Sequence, residues 1–140
     1  MLVKLLQAEE IQKERKFKKM ARILVIDDEA MIRNLLTRIL EREGYDVVTA
    51  SNGEDGINIH RENPADLIIT DLIMPDKEGI ETIMELRRDF QDVKIIAMSG
   101  GGKIDPETYL HIAKTIGALK TLAKPFDRKE LLTTIRELLE

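Results

Sequence analysis

A doubly wound α/β fold, with helices on both faces of a parallel sheet, is predicted by three observations. From Ala21 onward, short apolar runs alternate five times with amphipathic stretches of helical spacing, the pattern of repeated strand-helix units. The apolar runs, such as "ILVI" and "LIIT", are unbroken rather than alternating, as befits strands covered on both faces. The third observation is length: 140 residues make one domain that buries about two-thirds of its unfolded surface, too short for a barrel of about eight units and about 250 residues.

The elements follow in order. "RILVID" (22–27) is the first strand. The next stretch, "EAMIRNLLTRILEREG", places Ile32, Leu35, Leu36, Ile39 and Leu40 at helical spacing before Gly44 stops the helix. "YDVVTA" (45–50) is the second strand; Ser51 with Glu54 three residues on has the capping-box spacing and opens a helix to about Glu62. "ADLIITD" (65–71) is the third strand and "DKEGIETIMELRRDF" (76–90) the third helix. "VKIIAMS" (93–99) and "IDPETYLHIAKTIG" (104–117) form the fourth unit, with Asp105 as N-cap and Pro106 at the first helical position. "ALKTLA" (118–123) is the fifth strand, and Asp127 with Glu130 repeats the capping box to open the last helix.

Residues 1–19 fall outside this alternation. Leu2, Leu5, Leu6 and Ile11 loosely suggest an amphipathic helix, and "KERKFKK" is a basic run. The plain reading is an extension or leader ahead of a domain at 20–140; the sharper one is a helix that packs on a partner copy, giving a possible homodimer. The extension carries six Lys or Arg against three acids, leaving 16 against 23 in the rest, so the body is acidic within a chain of net charge −4. An acidic body repels a phosphate backbone, so direct nucleic-acid binding is not expected and partners should be proteins. Zero cysteines exclude disulfides, thiolate zinc sites and thiol catalysis. The apolar runs fall far short of a membrane span, and with no signal peptide the expected location is cytoplasmic.

Parallel strands present all their carboxyl ends on one edge, where ligands of open α/β sheets bind. Here the first strand ends in Asp27 and Asp28, followed by Glu29; the third ends in Asp71; the fourth ends in Ser99; the fifth ends near Lys124; the second ends with nothing reactive. Gathered carboxylates repel one another unless a cation neutralises them, and an all-oxygen set suits Mg²⁺. With a lysine and a hydroxyl, these are the components of phosphoryl transfer: an oxygen nucleophile, a metal, a cation and a hydrogen-bond donor. A single acid at a strand or helix end, such as Asp76, Asp105 or Asp127, is by contrast ordinarily a cap or turn former. "SGGGK" fails as a phosphate-binding loop, because Ala97 stands where the first glycine is required and Ile104 where Ser or Thr is. His60 and His111 lack a second ligand at metal spacing and read as packing or surface residues.

"ILVIDDE", "LIITDLIMPDKEG", "IIAMSG" and "LAKPF", in this order, resemble the receiver domain of bacterial response regulators, the CheY-like family, from about residue 21 to 140. The resemblance implies a strand order of 2-1-3-4-5. It implies that Asp71 is the phospho-acceptor, fed by a sensor histidine kinase or histidine phosphotransfer protein, and that Ser99 and Lys124 contact the phosphoryl oxygens. It further implies Mg²⁺ held by Asp28, Asp71 and the backbone carbonyl of Ile73, with Asp27 acting through water. Phosphorylation would then shift the fourth helix, fifth strand and fifth helix against a downstream protein target, and the Lys124–Pro125 bond is often cis in the family. One departure is Thr121, at the position where the family commonly has an aromatic switch; the expectation is therefore a switch that rests on Ser99 and loop movement, or a weaker one, with the glycine-rich loop after Ser99 mobile beforehand.

With no further domain after the last helix, a stand-alone receiver is expected, a signalling domain that promotes its own phosphorylation and dephosphorylation rather than an enzyme with a separate substrate. The alternative is a pseudo-receiver that is never phosphorylated and serves as a binding or assembly module, against which Asp28, Asp71 and Lys124 all count. An aspartyl-phosphate phosphatase would resemble a pattern with an acid two residues after the nucleophile, where this chain has Ile73.

Overall fold

The computed structural model describes residues 2–19, 21–73, 79–100 and 105–140, with 11–19, 106, 109 and 110 described by backbone alone. After helix α1 (Leu2–Lys19) come β1 (Arg22–Ile26), α2 (Ala30–Arg42), β2 (Asp46–Ala50), α3 (Gly53–Glu62), β3 (Leu67–Asp71), α4 (Gly79–Asp89), β4 (Ile95–Ser99), α5 (Pro106–Ile116), β5 (Lys120–Ala123) and α6 (Arg128–Leu139). The strands form one parallel sheet in the order β2-β1-β3-β4-β5, the expected topology.

The period of two along each strand explains why the runs are wholly apolar. Ile23 and Val25 of β1 join Leu67, Ile69, Ile96 and Met98 under α2 and α6, which contribute Leu36, Leu40, Leu131 and Ile135. Leu24 and Ile26 point the other way, to Ile68, Ile95 and the helices that supply Ile57, Ile83, Leu86 and Ala113. Ile23 to Ile26 are fully buried, and each such side chain contributes about 2 kcal/mol of apolar transfer energy.

Helix ends follow local chemistry, with one correction. Gly44, at φ 90°, takes the left-handed turn that stops α2. Asp127 and Asp105 cap α6 and α5, accepting from Glu130 N–H and Glu107 N–H. The cap of α3 is Asn52 rather than Ser51: its side chain accepts from Asp55 N–H at 2.8 Å, so the helix starts one residue later than the capping-box spacing suggested. α4 ends at Asp89, before Phe90, and α5 at Ile116, before Gly117, each one residue short of the stretch read from sequence; Asp76 and residues 101–104 of the glycine-rich loop lie outside the described residues. α1 is helical as anticipated, with Leu2, Val3, Leu5 and Leu6 all exposed. No described helix is long and apolar enough to cross a membrane.

Candidate functional site

The sheet register brings the predicted residues together at one edge. Ile26 pairs with Thr70, so Asp27 and Asp71 emerge from adjacent central strands. Ser99 pairs with Ala123, and the Lys124 N–H donates to the Ser99 carbonyl at 2.8 Å, so Lys124 leaves β5 toward the same point. Its ammonium lies between the acids, donating to Asp27 Oδ2 at 3.1 Å and to Asp71 Oδ2 at 3.5 Å. That is what meets the carboxylate at the tip of so apolar a strand. The Lys124–Pro125 bond is cis, as the resemblance implied.

Each acid has a different environment. Asp27 is fully buried; its Oδ1 accepts from Glu29 N–H at 2.8 Å, and its carbonyl accepts from Arg33 Nη1 at 2.8 Å. Asp71 is buried, with a long hydrogen bond to Oδ1 from Ile73 N–H at 3.4 Å. Asp28 is exposed, and no partner for its carboxylate is present among the described residues. The three offer oxygens within 4.8 Å of one another.

Electrostatics follow from this arrangement. Burial pushes the Asp71 carboxyl up to about 6; Lys124 opposes the rise, Asp27 adds to it, and the Ile73 and Lys124 hydrogen bonds oppose it. Burial would lower the Lys124 pKa, but Asp71 and Asp27 outweigh it and the net shift is upward, so the lysine stays charged. Three carboxylates around one ammonium leave negative charge to be neutralised. An all-oxygen donor set with one member open to solvent fits a hard divalent cation that keeps part of its water shell. Among the described residues no histidine joins the group.

The other predicted residues are placed as follows. Ser99 is fully buried at the end of β4, and among the described residues its Oγ has no hydrogen-bond partner, which is costly for a buried hydroxyl. Thr121 is half-buried on β5 opposite Ala97. Ile73 follows β3 beside the acids. His60 is a packing residue: its Nδ1 accepts from Ala65 N–H at 3.0 Å and its ring meets Phe90 edge-on at 4.6 Å, whereas His111 is exposed. Sequence reasoning missed two contributors. Gly79 opens α4 directly against the backbone of Asp71 and Leu72, where a Cβ would collide with the Asp71 carbonyl. Arg33 grips the Asp27 carbonyl, and its only sequence signal is a cation in the first turns of a helix, where the dipole disfavours one.

A five-stranded parallel sheet in this order, with a lysine set among acids at its carboxyl edge, defines a receiver-type domain. Residues 23–136 match the family described as response regulator receiver domain, and the chain belongs to that family of two-component signalling domains. Among curated relatives, "Probable transcriptional regulator ycf27" of Porphyra purpurea is 42% identical over 119 residues, covering 84% of this chain and 47% of the relative. "Transcriptional regulatory protein CpxR" of Escherichia coli K12 is 35% identical over 120 residues, covering 86% and 50%. The chain thus spans about half the length of these relatives, and their names describe them as whole proteins. Among solved structures, a receiver domain protein from Clostridium thermocellum superposes with a TM-score of 0.79 at 32% identity, covering 86% of this chain and 94% of that one. TrrA from Thermotoga maritima, solved in complex with Mg²⁺–BeF, gives 0.75 at 34% identity, covering 85% and 99%.

Proposed function

We propose that this domain accepts a phosphoryl group on Asp71 from a histidine kinase or histidine phosphotransfer protein and passes the signal on through protein contacts, in the cytoplasm. The observation that carries the reading is Lys124, held between the buried Asp27 and Asp71 with Asp28 open beside them. In the transfer an Asp71 carboxylate oxygen attacks phosphorus, the bond to the histidine nitrogen breaks, and an acyl phosphate remains on Asp71. Lys124, already charged and in place, receives one phosphoryl oxygen without reorganisation. The buried Ser99 hydroxyl, unpartnered among the described residues, can donate to another, which gives its cost in the resting protein a purpose.

Asp28 and Asp71, with the Ile73 carbonyl and Asp27 through water, would hold Mg²⁺. When bound, the ion supplies charge neutralisation at the phosphoryl oxygens. Output would run through α5, β5 and α6, since Ser99 and Lys124 lie at the ends of β4 and β5. With Thr121 in place of an aromatic, Ser99 and the loop after it carry that coupling. An acidic body supports protein rather than nucleic-acid partners.

Intact-mass measurement after incubation with Mg²⁺ and acetyl phosphate tests this reading. One added phosphoryl group, absent without Mg²⁺ and absent in Asp71→Asn, is the expected result. No addition to the wild type would leave the domain as an unphosphorylated binding module.

A further inference from the structure

Asp28, the exposed acid, is aimed by its backbone alone, and that backbone is held from outside the acidic cluster by Arg33. Every polar group of Asp27, the preceding residue, is engaged. Its N–H donates to the Ala50 carbonyl at 3.1 Å, Oδ1 accepts from Glu29 N–H at 2.8 Å, and Oδ2 accepts from Lys124 at 3.1 Å. The remaining group, its carbonyl, accepts from Arg33 Nη1 at 2.8 Å. The peptide joining Asp27 to Asp28 is planar, so a fixed carbonyl fixes the Asp28 N–H and the plane from which the Asp28 side chain departs. Arg33 is half-buried in the first turns of α2, where the helix dipole disfavours a cation and proximity to a metal site adds further repulsion. A residue kept there against both effects has its compensation in the one hydrogen bond it makes to the Asp27–Asp28 peptide.

The geometry points to Arg33 as a positioning residue for divalent-cation binding, one that pre-aims Asp28 by clamping the Asp27 carbonyl; this rests on the acidic cluster binding Mg²⁺ as proposed above. Two simpler roles give different expectations. A structural tie between α2 and β1 would lower stability and leave cation affinity alone. A purely electrostatic role would make cation binding tighter once the positive charge is removed. A clamp makes binding weaker despite that removal.

The test is calorimetric titration of Mg²⁺ into the full unphosphorylated chain, for wild type, Arg33→Met and Arg33→Lys, with thermal unfolding of each. Arg33→Met is expected to raise the Mg²⁺ dissociation constant about tenfold, the lower end of what losing an outer-shell partner costs. Arg33→Lys, whose ammonium can donate to the same carbonyl, should recover most of that loss. In acetyl-phosphate labelling the half-saturating Mg²⁺ concentration should rise by the same factor in Arg33→Met, so that added Mg²⁺ restores most of the rate. Equal or tighter Mg²⁺ binding by Arg33→Met overturns the proposal while leaving the reading of the cluster intact. A wild type that binds no Mg²⁺ overturns both. Should Arg33→Met fail to fold, Arg33→Leu, which also lacks a side-chain donor, carries the same expectation.

Discussion

Replacing Asp71 with Asn should make the resting protein more stable, although it removes the residue on which the proposed function depends. The folded chain holds the Asp71 proton more tightly than the unfolded chain does, since the pKa rises from the ordinary 3.8 to about 6. Between those values the native state carries more protons than the unfolded state, so this carboxyl's contribution to stability falls as pH rises, and the penalty is complete above about 6. At about 1.4 kcal/mol for each tenfold change in proton affinity, the rise from 3.8 to about 6 sets a ceiling of about 3 kcal/mol, and solvent access reduces it to about 1–3 kcal/mol. Asn keeps the shape and removes the charge, and Lys124 still has Asp27. Urea denaturation of both proteins without divalent cations, at pH 8 and pH 4, reads the gap directly. It should be about 1–3 kcal/mol in favour of Asp71→Asn at pH 8 and shrink below about 1 kcal/mol at pH 4. Added Mg²⁺ should narrow it, because the wild type gains a ligand that the variant has partly lost. A variant no more stable at pH 8, or a gap indifferent to pH, would refute the claim that burial of an ionised Asp71 strains the resting fold.

Three further expectations rest on single contacts. Ser99→Ala should leave resting stability unchanged or raise it by up to about 1 kcal/mol, because the hydroxyl removed has no partner among the described residues, while partner affinity should no longer respond to phosphorylation. A phosphorylated variant that binds a captured partner as tightly as phosphorylated wild type does, measured by titration, would contradict the role given to Ser99. Gly79→Ala should cost about 2 kcal/mol or more by driving a methyl group into the Asp71 carbonyl, and acetyl-phosphate labelling should fall with it; a stable, fully labelled variant would show that the start of α4 adjusts freely. Burial lowers the His60 pKa below its ordinary 6.5, so the unfolded chain takes up a proton that the native state resists, and stability is lost as pH falls below that value. His60→Gln should lack this acid branch in a pH series of thermal unfolding, and an unaltered series would assign the branch to other groups.

Much of this architecture is legible because a doubly covered parallel sheet writes a simple code. Short apolar runs without alternation, β-branched and alternating with amphipathic stretches, fit strands buried on both faces, and in a parallel sheet their last residues meet at one edge, which groups Asp27, Asp71, Ser99 and Lys124 from sequence. Smaller choices are decided by packing. Ser51 and Asn52 are both good caps, and Gly53, which lies against Thr82, settles the start of α3 one residue later than the Glu54 spacing indicated. Gly79 looks like an ordinary helix-entry glycine until the Asp71 carbonyl is seen against it, and Arg33 looks like one more charge on an amphipathic helix until its guanidinium meets the Asp27 carbonyl. Such contacts join residues through backbone groups, which carry no residue-type signature.

Lys124 stands at the end of the margin of the sheet, not at its centre. β5 is four residues long and has β4 as its one neighbour in the sheet, yet the lysine after it is tied to Asp27, 97 residues earlier at the end of a central strand. The margin is thus latched to the middle of the molecule by charge, and its opening by fraying must break that latch. Amide exchange along β5 and the start of α6 should therefore quicken, at fixed pH, when Lys124 is replaced by Met, making hydrogen exchange at one border of the sheet a remote gauge of the charge at its heart.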